Sequence, residues 1–188
     1  MARHHRSIRG YPGREQEVRV RTWNTDDVEP PAIRPFTDVE AANSALWVYE
    51  PPFDPYNSDP SNPELFLRID DDGFGYYALT DAADEVVGFC CYGVEARVSP
   101  QMPEDGTIDL GGGVRPDRLS EGIGTATLPA VMAFARGRWQ PQRFRVAVAT
   151  FNDRSIGLCR TAGFEVARSF SSRDDRDFLE LVRQADRT

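Results

Sequence analysis

A glycine-rich stretch in the middle of the chain has the residue types and spacing of an anion-binding loop. Residues 109–127 read DLGGGVRPDRLSEGIGTAT and join an apolar strand pattern to an apolar helical pattern. Gly122 and Gly124 lack a Cβ, so a ligand can approach their backbone closely. Amides at the start of a helix point outward with the positive end of the helix dipole behind them. The stretch therefore predicts a site for a phosphate-type anion, with a plain flexible connection as the alternative.

The spacing of this stretch excludes two common phosphate loops. A P-loop ends in Gly-Lys-Ser/Thr, and all 22 basic residues of this chain are arginine. The dinucleotide fingerprint needs a third glycine where this chain has Thr127, and it turns tightly from strand to helix. Here a long insert follows Val114 before the helix begins. ATP hydrolysis of the P-loop type and Rossmann-type dinucleotide binding are therefore not expected.

Histidine and cysteine usage excludes several other chemistries. The two histidines, His4 and His5, fall in residues 1–15, a polar and Arg-rich stretch that we interpret as a flexible tail. Serine–histidine triads and histidine-based zinc sites are then not expected in the folded body. The three cysteines, at positions 90, 91 and 159, show no repeating spacing. This fits neither a disulfide framework nor a structural zinc site, and we predict no metal.

The overall charge restricts the class of partner. A formal net charge of −8 and an isoelectric point near 4.8 argue against nucleic-acid binding, which needs clustered positive charge. The charge suits a cationic substrate such as an amine, and plain solubility explains it equally well. The sequence contains no apolar run of eighteen residues and no signal-peptide pattern, so we expect no membrane association and a cytoplasmic location.

The hydrophobic patterns predict one domain over residues 16–188. The run EVRVRTW reads as a first strand. An irregular, proline-rich section follows, in which TDVEAANSALWVYE is the best helix candidate, with Thr37 or Asp38 as N-cap. Residues 75–80 and 86–98 then read as the two strands of a hairpin. GTIDLGGGV is a further strand that ends in glycines.

The second half of the chain alternates between helix and strand patterns. Residues 123–138 have helical spacing, although Pro129 is expected to break or kink that helix. FRVAVATF reads as a buried strand, and NDRSIGLCRTAGF as a short helix closed by Gly163. EVARSF and DFLELVR complete the order as two strands. The whole order predicts an α/β or α+β fold, with helices packed on a mixed sheet.

Two linked motifs resemble those of the GNAT (Gcn5-related N-acetyltransferase) superfamily. The run VRPDRLSEGIG, from Val114 to Gly124, is similar to the family's motif A, which joins the fourth strand to a helix. The segment ATFNDRSIGLCRTAGF is similar to motif B, with Asn152, Arg154 and Gly163 at the expected positions. The resemblance covers residues 108–170. It implies the GNAT fold, with helices on both faces of a mixed sheet whose fourth and fifth strands are splayed at a β-bulge, here at Gly111–Gly113.

The resemblance also implies a cofactor, acetyl-CoA, and the residues that hold it. Its pyrophosphate is expected on backbone amides of the loop, and its pantetheine arm in the gap between the splayed strands. Asn152 resembles the asparagine that contacts this arm, and a helix N-cap is its alternative role. The cofactor-binding residues implied are Gly113, Val114, Leu119, Ser120, Glu121, Gly122, Ile123, Gly124, Thr125 and Asn152.

Three residues are candidates for the chemistry that the resemblance implies. Asp109 is the first candidate for the base that deprotonates the amine, and Glu95 is the second. The family's general acid is usually a tyrosine in motif B, and Cys159 stands at that position here. A thiol could serve as the acid, and an apolar filler on the inner face of the helix is the other interpretation.

The function implied is acetyl transfer to a primary amine, on a small molecule or on a protein or peptide N-terminus, by direct transfer. The alternative is a GNAT-like module that binds acyl-CoA as a sensor or structural partner without turnover, which the cysteine at position 159 favours. Aromatic and acidic residues after the first strand, among them Trp47, Tyr49 and Tyr56, suit an amine-bearing acceptor. A homodimer is compatible with the resemblance.

Overall fold

The computed structural model describes residues 29–185, so the expected tail and the strand expected at EVRVRTW lie outside the described residues. Seven strands and three α-helices are present in the described part. The strands are β1 Ala32–Arg34, β2 Tyr76–Thr80, β3 Val86–Tyr92, β4 Thr107–Val114, β5 Arg143–Ala149, β6 Glu165–Ser171 and β7 Asp177–Gln184. The helices are α1 Asp38–Ala45, α2 Ile123–Trp139 and α3 Asp153–Thr161, with short 3-10 helices at Asp54–Tyr56, Pro63–Leu67, Gly93–Ala96 and Pro116–Arg118.

The strands form one mixed sheet in the order β1-β2-β3-β4-β5-β7-β6. All neighbours are antiparallel except β4 and β5, which run parallel and are joined by α2. A parallel pair needs such a crossover connection because its strands must start at the same edge of the sheet. The predicted mixed sheet is therefore confirmed.

Helices cover both faces of the sheet. On one face α2 and α3 pack over a core that contains Val131, Met132, Phe144 and Leu181. On the other face α1 and the 3-10 helix Pro63–Leu67 enclose a smaller cluster. Burial of the apolar faces of these elements supplies most of the driving force that holds the sheet between them.

Helix α1 begins where the sequence predicts. Thr37 is its N-cap, and its hydroxyl accepts from the Glu40 amide at 3.3 Å while the Glu40 carboxylate accepts from the Thr37 amide at 2.9 Å. This reciprocal capping box satisfies two amides that a helix start leaves without partners. The helix ends at Ala45, shorter than the predicted run to Glu50.

One predicted strand boundary is wrong, and one strand was not predicted. The second strand of the hairpin, predicted over 86–98, ends at Tyr92, because Gly93 has a positive φ of 70° and the chain turns into a 3-10 helix. Glu95 consequently lies on this 3-10 helix and not on a strand. The short strand β1 was also missed, since it is only three residues long and is followed directly by Pro35.

The expectation that Pro129 breaks its helix is wrong. Helix α2 runs without interruption from Ile123 to Trp139 with Pro129 inside it. Proline removes one intrahelical hydrogen bond, and here burial of the helix face that carries Leu128 and Val131 outweighs that loss. Among residues 29–185, none of the helices combines the length and apolar character needed to cross a bilayer.

Strands β4 and β5 separate from each other partway along their length. They pair only over Thr107–Asp109 and Arg143–Arg145, and beyond these residues each continues without the other. The divergence that the resemblance implies is present. The expected bulge is not seen in the pairing of β4 with β3, where the register runs unbroken through all three glycines. The gap thus opens on the β5 side of β4.

Candidate functional site

A groove of about 660 Å³ occupies the gap between the separated strands β4 and β5. Its sides are the ends of both strands, and α2 and α3 each contribute residues from more than one turn. Its lining residues from these elements include Leu110, Gly111, Gly112, Gly113, Val114, Val146, Ala147, Val148, Asn152, Ser155, Leu158 and Cys159. The loop before α2 and the segment before β2 complete it. This groove is the candidate functional site.

The loop between β4 and α2 presents free backbone amides to the groove. Ser120 and Gly122 have positive φ values of 73° and 82°, and Gly122 is the N-cap of α2 without any side-chain cap. Within residues 29–185, the amides of Ser120, Glu121 and Gly122 donate to no backbone carbonyl. The first turn of a helix adds further unpaired amides. Together they form a concave surface at the positive end of the helix dipole, with the chemistry that suits an anion.

Two guanidinium groups lie at this loop, and they have different partners. Arg118 and Arg154 both line the groove. Arg154 Nη2 donates to Ser120 Oγ at 2.6 Å, and Arg118 Nε donates to Glu121 at 2.6 Å. The ion pair with Arg118 offsets the acidic Glu121, so that residue does not repel an anion as strongly as its type suggests.

The glycine run in β4 allows close packing beside the groove. A Cβ on Gly113 would lie 2.9 Å from the Phe89 ring and 3.0 Å from the Tyr49 hydroxyl oxygen. A Cβ on Gly112 would lie 2.6 Å from the Phe89 carbonyl oxygen. Side chains at these positions would therefore displace the neighbouring residues or enter the space between the strands.

Residues 47–57, which we call the strap, cross the groove from the end of β4 to the start of α3. At one end the Tyr49 hydroxyl donates to the Val114 carbonyl at 2.9 Å. At the other end Tyr56 Oη accepts from Asn152 Nδ2 at 3.2 Å. Burial raises the pKa of Tyr49 to about 12, so this phenol stays neutral. The strap thus connects the end of β4 to the start of α3 across the groove.

Aromatic rings hold the second end of the strap. Phe53, Tyr56 and Phe151 form a three-membered cluster with ring centroids 5.8 to 6.5 Å apart. Phe53 and Tyr56 also line the groove. Such ring contacts stabilise by about 0.5–1.5 kcal/mol each beyond the area they bury. The cluster fixes the position of the Tyr56 hydroxyl beside the start of α3.

Asn152 uses both ends of its side-chain amide. Its Oδ1 accepts from the Ser155 amide at 3.0 Å and so caps α3, while its Nδ2 donates to Tyr56. Asn152 is buried and lines the groove. Its capping role is therefore present in the structure, at a place where it also contacts the groove.

Two further side chains face the groove from the helices. Cys159 lies on the inner face of α3, and burial raises the pKa of its thiol to about 11, so the thiol stays neutral at physiological pH. Thr127 lines the groove from α2, and its buried hydroxyl has no hydrogen-bond partner in the part of the chain that the structure describes. An orphaned buried hydroxyl is costly unless a ligand satisfies it.

Asp109 is buried in an ion-pair network at the narrow end of the gap. Its two carboxylate oxygens accept from Arg97 Nε and Arg145 Nε, each at 2.5 Å. The side chain is 3% exposed and does not line the groove. Glu180 is buried beside the same Arg145, 3.9 Å away. This geometry is that of a structural salt bridge between β4 and β5.

Glu95 is the more accessible of the two predicted carboxylates. Its side chain is 23% exposed, and its nearest cation is Arg68 Nη1 at 3.9 Å. The next residue, Ala96, packs against β4, since a Cβ on Gly111 would lie 3.4 Å from it. Glu95 itself is outside the groove lining.

The structure brings most of the predicted cofactor-binding residues together. All of them except Glu121 line the groove. The prediction missed Arg118 and Thr127, and it placed Tyr49 and Tyr56 with the acceptor and not at the groove. No motif links the strap to α3, because their contact joins residues 96 positions apart. Within residues 29–185, no group of three or more His, Cys, Asp and Glu side chains is arranged to hold a metal ion.

Comparison with known proteins matches this architecture to a described family. Residues 40–164 match the model of the acetyltransferase (GNAT) family. L-methionine sulfoximine/L-methionine sulfone acetyltransferases from Pseudomonas paraeruginosa and Pseudomonas aeruginosa are each 35% identical over 98 residues, which cover 50% of this chain and 53% of the relative. The aligned region thus spans about half the length of these curated relatives.

Solved structures share the fold at low sequence identity. Aminoglycoside acetyltransferase AAC(6')-Ib in complex with paromomycin and acetyl-CoA aligns with a TM-score of 0.68 and 14% identity, over 83% of this chain and 94% of that chain. A chimera of spermidine N-acetyltransferase SpeG from Vibrio cholerae and hSSAT aligns with a TM-score of 0.64 and 14% identity, over 84% of this chain and 96% of that chain.

Proposed function

Because the chain belongs to the acetyltransferase (GNAT) family, we propose that it transfers an acetyl group from acetyl-CoA to the primary amine of a small molecule. One observation carries this proposal. The gap between β4 and β5 ends at a loop whose amides are not paired with backbone carbonyls. One continuous groove therefore has room for the extended pantetheine arm of acetyl-CoA and amides for its pyrophosphate.

The residues present fit acetyl-CoA. The amides at Ser120 and Gly122, with Arg118 and Arg154 beside them, suit a pyrophosphate. The unpaired side of β4 suits the amide groups of a pantetheine arm, which can add to a strand edge much as a peptide does. The orphaned Thr127 hydroxyl supplies one further polar contact in the same groove.

The chain's own groups favour direct transfer without a covalent enzyme intermediate. Acetyl-CoA supplies an acetyl group that is already activated as a thioester. A backbone N–H of the glycine run on the side of β4 that faces the gap would polarise the carbonyl of that group. Cys159 stays neutral because burial raises the pKa of its thiol to about 11, and so it is a poor nucleophile.

We propose Glu95, acting through water, as the base that takes a proton from the acceptor ammonium. Its carboxylate has one long contact to Arg68 and remains partly exposed. Both oxygens of Asp109, by contrast, accept short hydrogen bonds from guanidinium groups. Protonation of either oxygen would break this buried ion-pair network, so Asp109 is committed to a structural role.

A small-molecule amine is the acceptor class best supported by the relatives. The names of two relatives give methionine sulfoximine and methionine sulfone as substrates. Among the structural neighbours, one is a spermidine N-acetyltransferase and another is a complex with an aminoglycoside. The net charge of −8 favours the approach of a cationic amine.

Free CoA released from acetyl-CoA is the measurement that tests this function. The purified chain is mixed with acetyl-CoA and one candidate acceptor at a time. The acceptors are amino acids such as methionine sulfoximine, then polyamines, aminoglycosides and N-terminal peptides. We expect CoA release that requires both protein and a small-molecule amine. Release with peptides alone would contradict the acceptor class. Acetyl-CoA binding without release by any amine would favour a non-catalytic acyl-CoA-binding module instead.

A further inference from the structure

We infer that Tyr56 is the acid that protonates the departing thiolate of CoA. This inference rests on the proposed function and adds a catalytic residue to it. Tyr56 lies on the strap and lines the groove together with Asn152 and Cys159. It reaches the groove from a segment about a hundred residues before α3 in sequence, so no motif at α3 reveals it.

The hydrogen bonding of Tyr56 leaves its proton free. Its hydroxyl oxygen accepts from Asn152 Nδ2 at 3.2 Å, and the phenol donates to no group in the described part of the chain. Asn152 cannot reverse this bond, because its Oδ1 already accepts from the Ser155 amide at 3.0 Å. The Tyr56 oxygen therefore acts as the acceptor toward Asn152, and the O–H bond of Tyr56 points away from the asparagine.

The other weak acids along the groove are worse placed to donate. The Tyr49 proton is committed to the Val114 carbonyl at 2.9 Å. The Cys90 thiol points to the Tyr92 hydroxyl at 3.6 Å, and burial raises its pKa to about 12. Cys159 has a neutral thiol on a short side chain, held against the core by its burial. The hydroxyl proton of Tyr56 is not used in a hydrogen bond. The residue is also 37% exposed, so water can return the proton after it has been donated.

The location of the Tyr56 hydroxyl suits the role. Long side chains on a helix lean toward its N-terminus, so a long side chain at position 159 would extend along the groove toward the first turn of α3. A cysteine there leaves that space open. The Tyr56 hydroxyl enters the same region from the strap, fixed by Asn152 and by the rings of Phe53 and Phe151.

The step balances as follows. When the acetyl carbon–sulfur bond breaks, its electron pair goes to the sulfur, and Tyr56 transfers its hydroxyl proton to that sulfur. The phenolate regains a proton from water or from the proton released by the acceptor amine. No oxidant, reductant or further reactant is needed. General acids of this kind contribute about 100-fold or more to a rate.

The test compares Tyr56→Phe with Tyr49→Phe and Cys159→Ala, with acetyl-CoA and the best amine of the panel. Phenylalanine keeps the aromatic cluster and removes only the hydroxyl. We expect kcat of Tyr56→Phe to fall about 100-fold while its Kd for acetyl-CoA stays within about twofold of the wild type. The losses in kcat at Tyr49→Phe and Cys159→Ala should each be much smaller.

Two results would overturn the assignment. If Tyr56→Phe keeps wild-type kcat, the hydroxyl does not take part in the chemistry. If kcat is unchanged and only the Kd for acetyl-CoA rises, Tyr56 is a binding residue. Both results leave the acetyltransferase function intact, because each compares the variant with a wild-type protein that catalyses the reaction. If instead the wild type itself releases no CoA with any amine, the proposed function fails, and the assignment of Tyr56 fails with it.

Discussion

The hydroxyl of Tyr49 donates a 2.9 Å hydrogen bond to the carbonyl of Val114, the last residue of β4 before the glycine-rich loop. The bond joins the strap to β4 at the side of the groove. Tyr49→Phe leaves this carbonyl without its partner, so we predict a loss of about 1 kcal/mol in the free energy of unfolding. We also predict a severalfold rise in the Kd for acetyl-CoA. Chemical denaturation and calorimetry measure the two effects, and an unchanged unfolding free energy would contradict the role of this bond.

Gly122 has a positive φ of 82° at the N-cap of α2, where a side chain is both strained and in the way of an anion. Gly122→Ala should therefore lower stability by about 1 kcal/mol and weaken acetyl-CoA binding about tenfold or more. Gly137→Ala on the same helix is the matched control, because a Cβ there has nothing within 4 Å. This control should bind acetyl-CoA normally and be more stable by about 0.5 kcal/mol. Equal binding by the two variants would rule out the loop as the anion site.

Asp109 pairs with Arg97 and Arg145 in the interior, with only 3% of its side chain exposed. Asp109→Asn removes the negative charge that these two guanidinium groups pair with in the interior. We therefore predict a loss of about 3 kcal/mol in the free energy of unfolding. Asp117→Asn is the control, since Asp117 pairs with Arg115 at 2.7 Å but is 68% exposed. Its loss should stay below about 1 kcal/mol. A stable Asp109→Asn protein without activity would identify Asp109 as the base and displace Glu95.

Hydrogen bonds from Arg34 lower the pKa of Glu40 from 4.5 to about 2 in the folded protein. A lowered folded-state pKa adds stability that is complete above pH 4.5 and is lost as the pH falls toward 2. Because the pair is partly exposed, we predict about 1 kcal/mol at neutral pH. Glu40→Gln keeps the capping geometry and removes the charge. The gap in unfolding free energy between wild type and variant should close between pH 4.5 and 2, and a constant gap would contradict the assignment.

The sequence predicts the elements that carry strong local signals. The N-cap at Thr37, the glycine-rich loop and the two helices beside the groove follow from capping preferences and helical spacing. The errors have physical causes. Local propensity alone does not show that burial of one face carries a helix through Pro129, or that a positive φ at Gly93 ends β3.

The candidate site is predictable only in part. Its anion loop is contiguous in sequence, so spacing and chemistry reveal it. The strap and the Asp109–Arg145 pair depend on how distant segments pack. From sequence alone, a carboxylate on a strand is a candidate base whether it is free or ion-paired. Only the structure reveals that both oxygens of Asp109 accept hydrogen bonds from guanidinium groups.

Calorimetric titration of the wild-type chain with acetyl-CoA tests the central claim most directly. The account predicts saturable binding of one acetyl-CoA per chain, which Gly122→Ala weakens and Gly137→Ala does not. Saturation should also raise the thermal unfolding temperature, because a ligand that binds only the folded state stabilises it. A wild-type chain that is folded and yet shows no binding would contradict the assignment of the groove and the function built on it.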